Sequence, residues 1–244
     1  MGASISATAA QLQQIALEST DARGYFAALY ARVTSRIGAA IESDRFTDGK
    51  HMEQFACAFA DYYVLALEGE VAPPRCWRAA WEVADDHKLL IVQHLLLGIN
   101  AHVNHDLALA VVEVAALRGD VGSIRPDFNA VNEVLAQTYD EVVSDLGRVS
   151  RWATAASAIG GGDAFNFSLR VAREQAWRAA IEMHTLDDRA LREYEAALDT
   201  MVSGVAYLIT TPARLARPVV WLARRFEERD PVVVTHRLLG KAEA

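Results

Sequence analysis

Apolar residues recur with helical spacing along nearly the whole chain, whereas the strict apolar–polar alternation of a half-buried strand is almost absent. Segments such as FAALYARVTSRIGAAI and KHMEQFACAFADYYVLALEG place their apolar side chains on one helical face. Asp, Gly and Pro residues interrupt the pattern where helix caps and turns are expected. The pattern predicts an all-α, single-domain bundle of about eight to ten helices.

The longest apolar run predicts a central helix over about residues 74–117, starting at Pro73-Pro74 and closed by Gly119, with Gly98 as the position of a kink. Its most apolar part, residues 89–117, is long enough to cross a bilayer. It also carries seven His, Asn, Asp or Glu side chains, which are costly to place in lipid. We therefore expect a buried helix and no transmembrane segment.

Composition supports the helical prediction and argues against one class of binding partner. The chain has 44 Ala against 14 Gly and 6 Pro, and Ala is the best helix former. A net charge of −8 argues against a nucleic-acid partner. Two cysteines without zinc-knuckle spacing and an N-terminus unlike a signal peptide predict a cytoplasmic protein. With no repeat or linker, we expect one domain over 1–244, with its core over about 20–210 and a basic amphipathic surface segment over 212–230.

The polar residues of the central helix are the first candidates for chemistry. Four of the seven histidines fall on it. At about 100° per residue, six His or acidic side chains occupy one arc of about 120°. Asp86, Gln93, Asn100 and Asn104 form a second stripe. This arrangement predicts that one stripe lines a cavity; the six residues of the arc are His87, His94, His102, His105, Asp106 and Glu113.

Axial spacing selects His102, His105 and Asp106 as the tight cluster. The separations i,i+3 and i,i+4 allow these side chains to share one ion, zinc or iron. His94 lies about 12 Å away along the helix, so it is assigned to acid–base work beside His105 and Asp106. A metal needs further ligands, and the predicted ones are Asp48 and His51. A hydrogen-bond network without metal, and Asp48 as a simple helix cap, are the alternatives.

Four residues are predicted to contact substrate. Arg173 and Trp177 repeat with helical spacing in FNFSLRVAREQAWRAA, and a guanidinium beside an aromatic ring can hold a phosphate or carboxylate. Ion pairing of Arg173 with a neighbouring helix is the alternative. Asn100 and Asn104, from the second polar stripe, complete the predicted set.

Three stretches resemble an uncharacterised, mostly bacterial family of all-helical domains of unknown function: YARVTSRIGAAIESDRFTDGKHMEQFACAFADYY, HLLLGINAHVNHDLALAV and FNFSLRVAREQAW. The resemblance covers roughly residues 20–210 and implies a shared fold and site but no activity. LLLGINAHVNHD also resembles the metal helix of zinc-dependent phospholipases C and related nucleases, which implies His102 and Asp106 as ligands. The family's next His is absent, because position 111 is Val, and so is its N-terminal Trp.

His105-Asp106 also resembles the adjacent His-Asp pair of HD-type phosphohydrolases, with His51 or His87 as the upstream His. Both likenesses imply a divalent ion that activates water. The first functional expectation is a metal-dependent hydrolase of an ester or phosphoester with a hydrophobic small-molecule substrate. A metal-free His/Asp isomerase, lyase or cyclase is the second, and a non-catalytic binding protein for an apolar ligand is the third. A homodimer is left open.

Overall fold

The computed structural model describes residues 4–69, 72–150, 162–211, 214 and 217–240. These residues form ten helices and no strand, which confirms the predicted all-α bundle. The helices are α1 (Ile5–Glu18), α2 (Arg23–Glu42), α3 (Gly49–Glu68), α4 (Arg75–Trp81), α5 (Ile91–Ala101, continuing through His102–Asp106 into Leu107–Arg118), α6 (Arg125–Val149), α7 (Gly162–Met183), α8 (Asp188–Thr210), α9 (Arg217–Arg224) and α10 (Pro231–Leu238). Within the predicted basic segment 212–230, residues 212, 213, 215 and 216 lie outside the described ranges.

Local capping explains where several helices begin and end. Asp48 accepts a hydrogen bond from the backbone N–H of His51, and Asp187 accepts from the N–H groups that follow it in α8. These bonds satisfy donors that have no partner inside the helix. At the other end, Gly69 closes α3 and Gly119 closes α5, both in the left-handed region with φ of 75° and 72°.

The predicted helix over 74–117 is wrong at its N-terminal third. The structure has a short α4 and then a turn region, and the central helix begins at Ile91. In the turn, Asp86 accepts a hydrogen bond from the N–H of Lys88, and Gln93 accepts one from the N–H of Leu90. The first bond offers the backbone an alternative to the helix, and the second caps the start of α5. His87 therefore lies in an exposed turn rather than on the central helix.

A five-residue π-helical turn, His102–Asp106, interrupts α5 at the predicted cluster. The N–H of Leu107 bonds to the carbonyl of His102, five residues back. Single π turns inside α-helices occur often at functional sites. Gly98, the predicted kink, instead allows a close approach: a Cβ there would lie 2.5 Å from Cγ of Phe26 on α2.

The long helix α5 runs through the centre of the bundle, in contact with α2, α3, α4, α7 and α8. Residues Ile91–Leu117 are long and apolar enough to cross a membrane by length and composition. However, 67% of their most apolar window is buried inside the protein, a property shared with core helices of soluble proteins. This central position surrounds the polar side chains of α5 with the rest of the fold.

Candidate functional site

The carboxylate of Asp106 is the centre of the polar cluster and is 1% exposed. His105 Nδ1 lies 2.8 Å from Oδ1, and His102 Nδ1 lies 3.0 Å from Oδ2. Trp77 Nε1 donates to Oδ2 at 2.9 Å. Burial opposes ionisation, but the hydrogen bonds from the two imidazoles outweigh it and hold the pKa of Asp106 below its ordinary value. Asp106 is thus a buried carboxylate with three polar partners.

The π turn accounts for two histidines on one carboxylate. Neighbouring residues on an α-helix point about 100° apart, so His105 and Asp106 would normally face different directions. In the wider turn, both His102 and His105 reach Asp106, one to each oxygen. The sequence spacing HVNHD supplies these groups, and all three lie on one π turn.

His102 is a neutral imidazole surrounded by aromatic rings. Its ring stacks on Phe59 with centroids 3.6 Å apart and planes at 9°, and the edge of Tyr30 lies 4.4 Å away. Burial lowers the pKa of His102 even though Asp106 acts in the opposite direction. Since Nδ1 donates to Asp106, the lone pair belongs to Nε2, which is buried and has no hydrogen-bond partner.

His105 is in the opposite electrostatic situation. Burial acts to lower its pKa, but the bond to Asp106 and the charges of Asp106, Asp199 and Glu195 outweigh it and raise the pKa. Ligand atoms of Cys76, His105 and Asp199 all lie within 4.8 Å of one another. Among the described residues, these three side chains converge closely enough to hold a metal ion.

A cavity of about 480 Å³ lies on the His102 side of the cluster. Its wall is mainly aliphatic and aromatic, and includes side chains from α2, α3, α5 and α6. A volume of this size falls in the range of about 300–1,000 Å³ that is usual for small-molecule sites. The polar exceptions in the wall are Tyr30, Thr34, His102, Thr138, Ser150, Arg173 and Glu227.

Arg173 places a buried cation in the same wall. It is 4% exposed, and it donates from Nε to Asn132 Oδ1 at 2.9 Å and from Nη2 to the carbonyl of Phe128 at 2.6 Å. Its guanidinium lies 4.2 Å above the ring of Phe128. No carboxylate among the described residues pairs with it. Burial, together with the charge of Arg125, lowers the pKa of Arg173 to about 9, so it is still protonated at neutral pH.

Comparison with known proteins identifies the family. A sequence model of a family of unknown function, DUF5995, matches residues 5–212. The chain belongs to the DUF5995 family. The match confirms the expectation of an uncharacterised family and spans α1 to α8, with Asp106 and both of its histidines. No curated protein and no solved structure matches the chain.

Four other predicted residues of this DUF5995 protein make different contacts. His94 faces the edge of Tyr25, with ring centroids 5.9 Å apart, and burial lowers its pKa to about 4. It is not part of the cavity wall. Asn100 donates to the carbonyl of Val202 and accepts from Asn104, so this pair joins α5 to α8. Trp177 is 5% exposed and packs against Phe128 and Arg125 rather than lining the cavity.

The five side chains predicted as one metal centre are not brought together. Asp48 caps α3, and its own N–H donates to Asp127. His51 precedes Phe59, whose ring stacks on His102, by eight residues on α3, so the two backbone positions lie about 12 Å apart along the helix axis. The predicted set therefore divides into the cluster at Asp106 on α5 and the start of α3, where Asp48 and His51 lie.

Three residues of the site were missed from the sequence: Trp77, Cys76 and Asp199. Cys76 and Trp77 are neighbours on α4, whereas Asp199 lies on α8, 123 residues beyond Cys76. A periodic pattern reports residues that share one helix face, and these residues share none with Asp106. In the sequence, Cys76 and Trp77 stand close after two prolines in the segment PPRCW. This position does not indicate which residues they would contact.

Proposed function

We propose that this protein is an enzyme that moves a proton on an apolar small molecule held in the cavity, with His102 as the base. The reaction class is isomerisation, elimination or cyclisation. One observation carries the proposal: His102 lines the cavity, its Nε2 is buried and has no hydrogen-bond partner, and its Nδ1 is held by Asp106. A buried polar atom without a partner is costly, and a substrate proton would satisfy it.

The surroundings of His102 suit a base. Burial lowers its pKa, so it is neutral and can accept a proton at neutral pH. Asp106 fixes the tautomer and would stabilise the imidazolium that forms when Nε2 takes the proton. The stacked ring of Phe59 holds the imidazole plane in place.

Arg173 supports an anionic group on the substrate. From His102, successive ring contacts pass through Phe59, Phe55 and Phe128 to the guanidinium of Arg173. The base and the cation therefore lie at opposite ends of a row of aromatic rings. A guanidinium without a carboxylate partner favours a carboxylate or phosphate on the ligand. The substrate class we propose is an apolar molecule with one acidic group.

Metal-dependent hydrolysis is the second candidate, favoured by the convergence of Cys76, His105 and Asp199. None of these three residues lines the cavity, so an ion there would act from the other side of Asp106. This is why proton transfer on the cavity side is the proposal we place first.

The test begins with ligands. Fatty acids and aryl carboxylic acids are screened for displacement of the fluorescent apolar anion anilinonaphthalene sulfonate, and those that bind are incubated with the protein in deuterium oxide. We expect deuterium incorporation or rearrangement of one binder. His102→Gln should lower that rate by about 100-fold or more while binding persists.

His184→Gln is the control, because His184 is an exposed histidine after α7. It should leave both binding and rate unchanged. Binding without any turnover would overturn the enzymatic proposal in favour of a carrier. A His102→Gln rate equal to that of the unmodified protein would remove His102 from the mechanism.

A further inference from the structure

The geometry points to a second site, and we propose that Cys76, His105 and Asp199 bind one divalent transition-metal ion, with zinc as the best match. The ligands come from three elements: α4, the π turn of α5, and α8. Their ligand atoms lie within 4.8 Å of one another. Neither sequence spacing nor the family match assigns this site, and it does not depend on the proposed proton transfer.

The donor set fits the ion. Zinc takes thiolate, imidazole and carboxylate ligands at about 2.0–2.3 Å, and three protein ligands leave a fourth position for water. Ligands at these distances around a tetrahedral ion lie about 3.5 Å apart. The present spacing therefore closes onto an ion with side-chain movements of about 1 Å.

Two of the ligands are already oriented by other groups. Asp106 occupies Nδ1 of His105, which leaves Nε2 as the nitrogen for an ion. A carboxylate behind a histidine is the usual outer partner of a zinc ligand. Asp199 is held by the N–H groups of Arg75 and Cys76, both at 2.9 Å, and its oxygens retain lone pairs for a metal.

The charges nearby also favour a cation. Glu195 lies one turn before Asp199 on α8 and, with Asp106 and Asp199, acts electrostatically on His105. Capping of α4 explains the position of Asp199, but it explains neither a buried thiol nor an imidazole beside it. Cys76 is fully buried, and binding would release its proton to solvent as the sulfur becomes a thiolate ligand.

The experiment uses the full chain, treated with a chelator and titrated with Co²⁺ as a spectroscopic substitute for Zn²⁺. We expect one equivalent of cobalt, a cobalt–thiolate charge-transfer band, and loss of that band when zinc is added. Cys76→Ser should abolish the band, and Asp199→Asn should weaken binding. Cys57→Ser, the other buried cysteine, should keep the band.

Two further measurements keep the result independent of folding defects. Circular dichroism is recorded for every variant, and His105→Gln replaces Cys76→Ser if that variant is unfolded. Zinc should raise the Tm of the unmodified chain and of Cys57→Ser, but not that of His105→Gln. Binding of less than about 0.1 equivalents, or a thiolate band that persists in Cys76→Ser, would overturn the site. These readouts involve no turnover, so they are separate from the test of His102.

Discussion

The two sides of Asp106 present the same residue type in different surroundings. His102 and His105 both bond to this carboxylate, yet the pKa of His102 is lowered and that of His105 is raised. On the His102 side, the adjacent ring of Phe59 is uncharged, and burial outweighs the effect of Asp106. On the His105 side, Asp199 and Glu195 add negative charge. The surroundings, rather than the shared carboxylate, decide which imidazole stays neutral and which is protonated more readily.

The largest expected effect comes from removing the group that both sides share. Asp106→Asn keeps the shape but removes the charge that accepts bonds from His102, His105 and Trp77. We expect a loss of about 3 kcal/mol in the free energy of unfolding, measured by urea denaturation. Cobalt affinity should fall by about 10–100-fold, because the carboxylate behind His105 is lost. A variant as stable as the unmodified chain would show that Asp106 does not organise the cluster.

A change at Gly98 should act mainly on the cavity side. An added Cβ would meet Phe26, whose ring packs edge-on against His102 with centroids 5.5 Å apart. Gly98→Ala should cost about 1–3 kcal/mol through overpacking, seen as a lower Tm, and should leave cobalt binding intact. Gly204→Ala is the matched control, since no atom lies within 4 Å of the added Cβ. It should stabilise the protein by up to about 1 kcal/mol through helix propensity.

Replacing Arg173 should separate charge recognition from apolar burial within the cavity. Arg173→Met removes the cation that has no carboxylate partner and keeps most of the apolar stem. We expect binding of anilinonaphthalene sulfonate to weaken by about 10-fold, because a charge-assisted hydrogen bond contributes about 1.5 kcal/mol or more. A neutral apolar ligand of similar size should bind as before. Equal weakening of both ligands would indicate a packing defect instead.

The smallest effect is the difference in pH dependence between the two histidines. A lowered pKa means that His102 reduces stability as the pH falls below the ordinary histidine value, while a raised pKa means that His105 contributes stability in acid that is lost as the pH rises. The free energy of unfolding at about pH 8 minus that at about pH 5.5 should therefore be smaller in His102→Gln, and larger in His105→Gln, than in the unmodified chain. Urea denaturation at both pH values measures this difference. If both variants change it in the same direction, the contrast between the two histidines is wrong.

Much of the fold was predictable because helices are made by local spacing. The apolar repeat predicted the helical class, whereas Asp48, predicted as a metal ligand with a helix cap as the alternative, is the cap of α3. The cluster of His102, His105 and Asp106 was also predictable, since its members lie within five residues. The turn before Ile91 was missed because it contains no Gly or Pro to interrupt the helical pattern. Within it Asp86 accepts a hydrogen bond from Lys88, and Gln93 caps the start of the next helix.

The sequence by itself determined the helices, their caps and the three polar side chains on one turn of α5. Only the tertiary structure decided what each of them faces: Phe59 and the cavity for His102, Cys76 and Asp199 for His105, and Trp77 for Asp106. The physical reason is the separation along the sequence between the residues that make each kind of contact. Helical geometry fixes neighbours three or four residues apart, whereas contacts between α4, α5 and α8 depend on how whole apolar faces pack, which no local pattern contains.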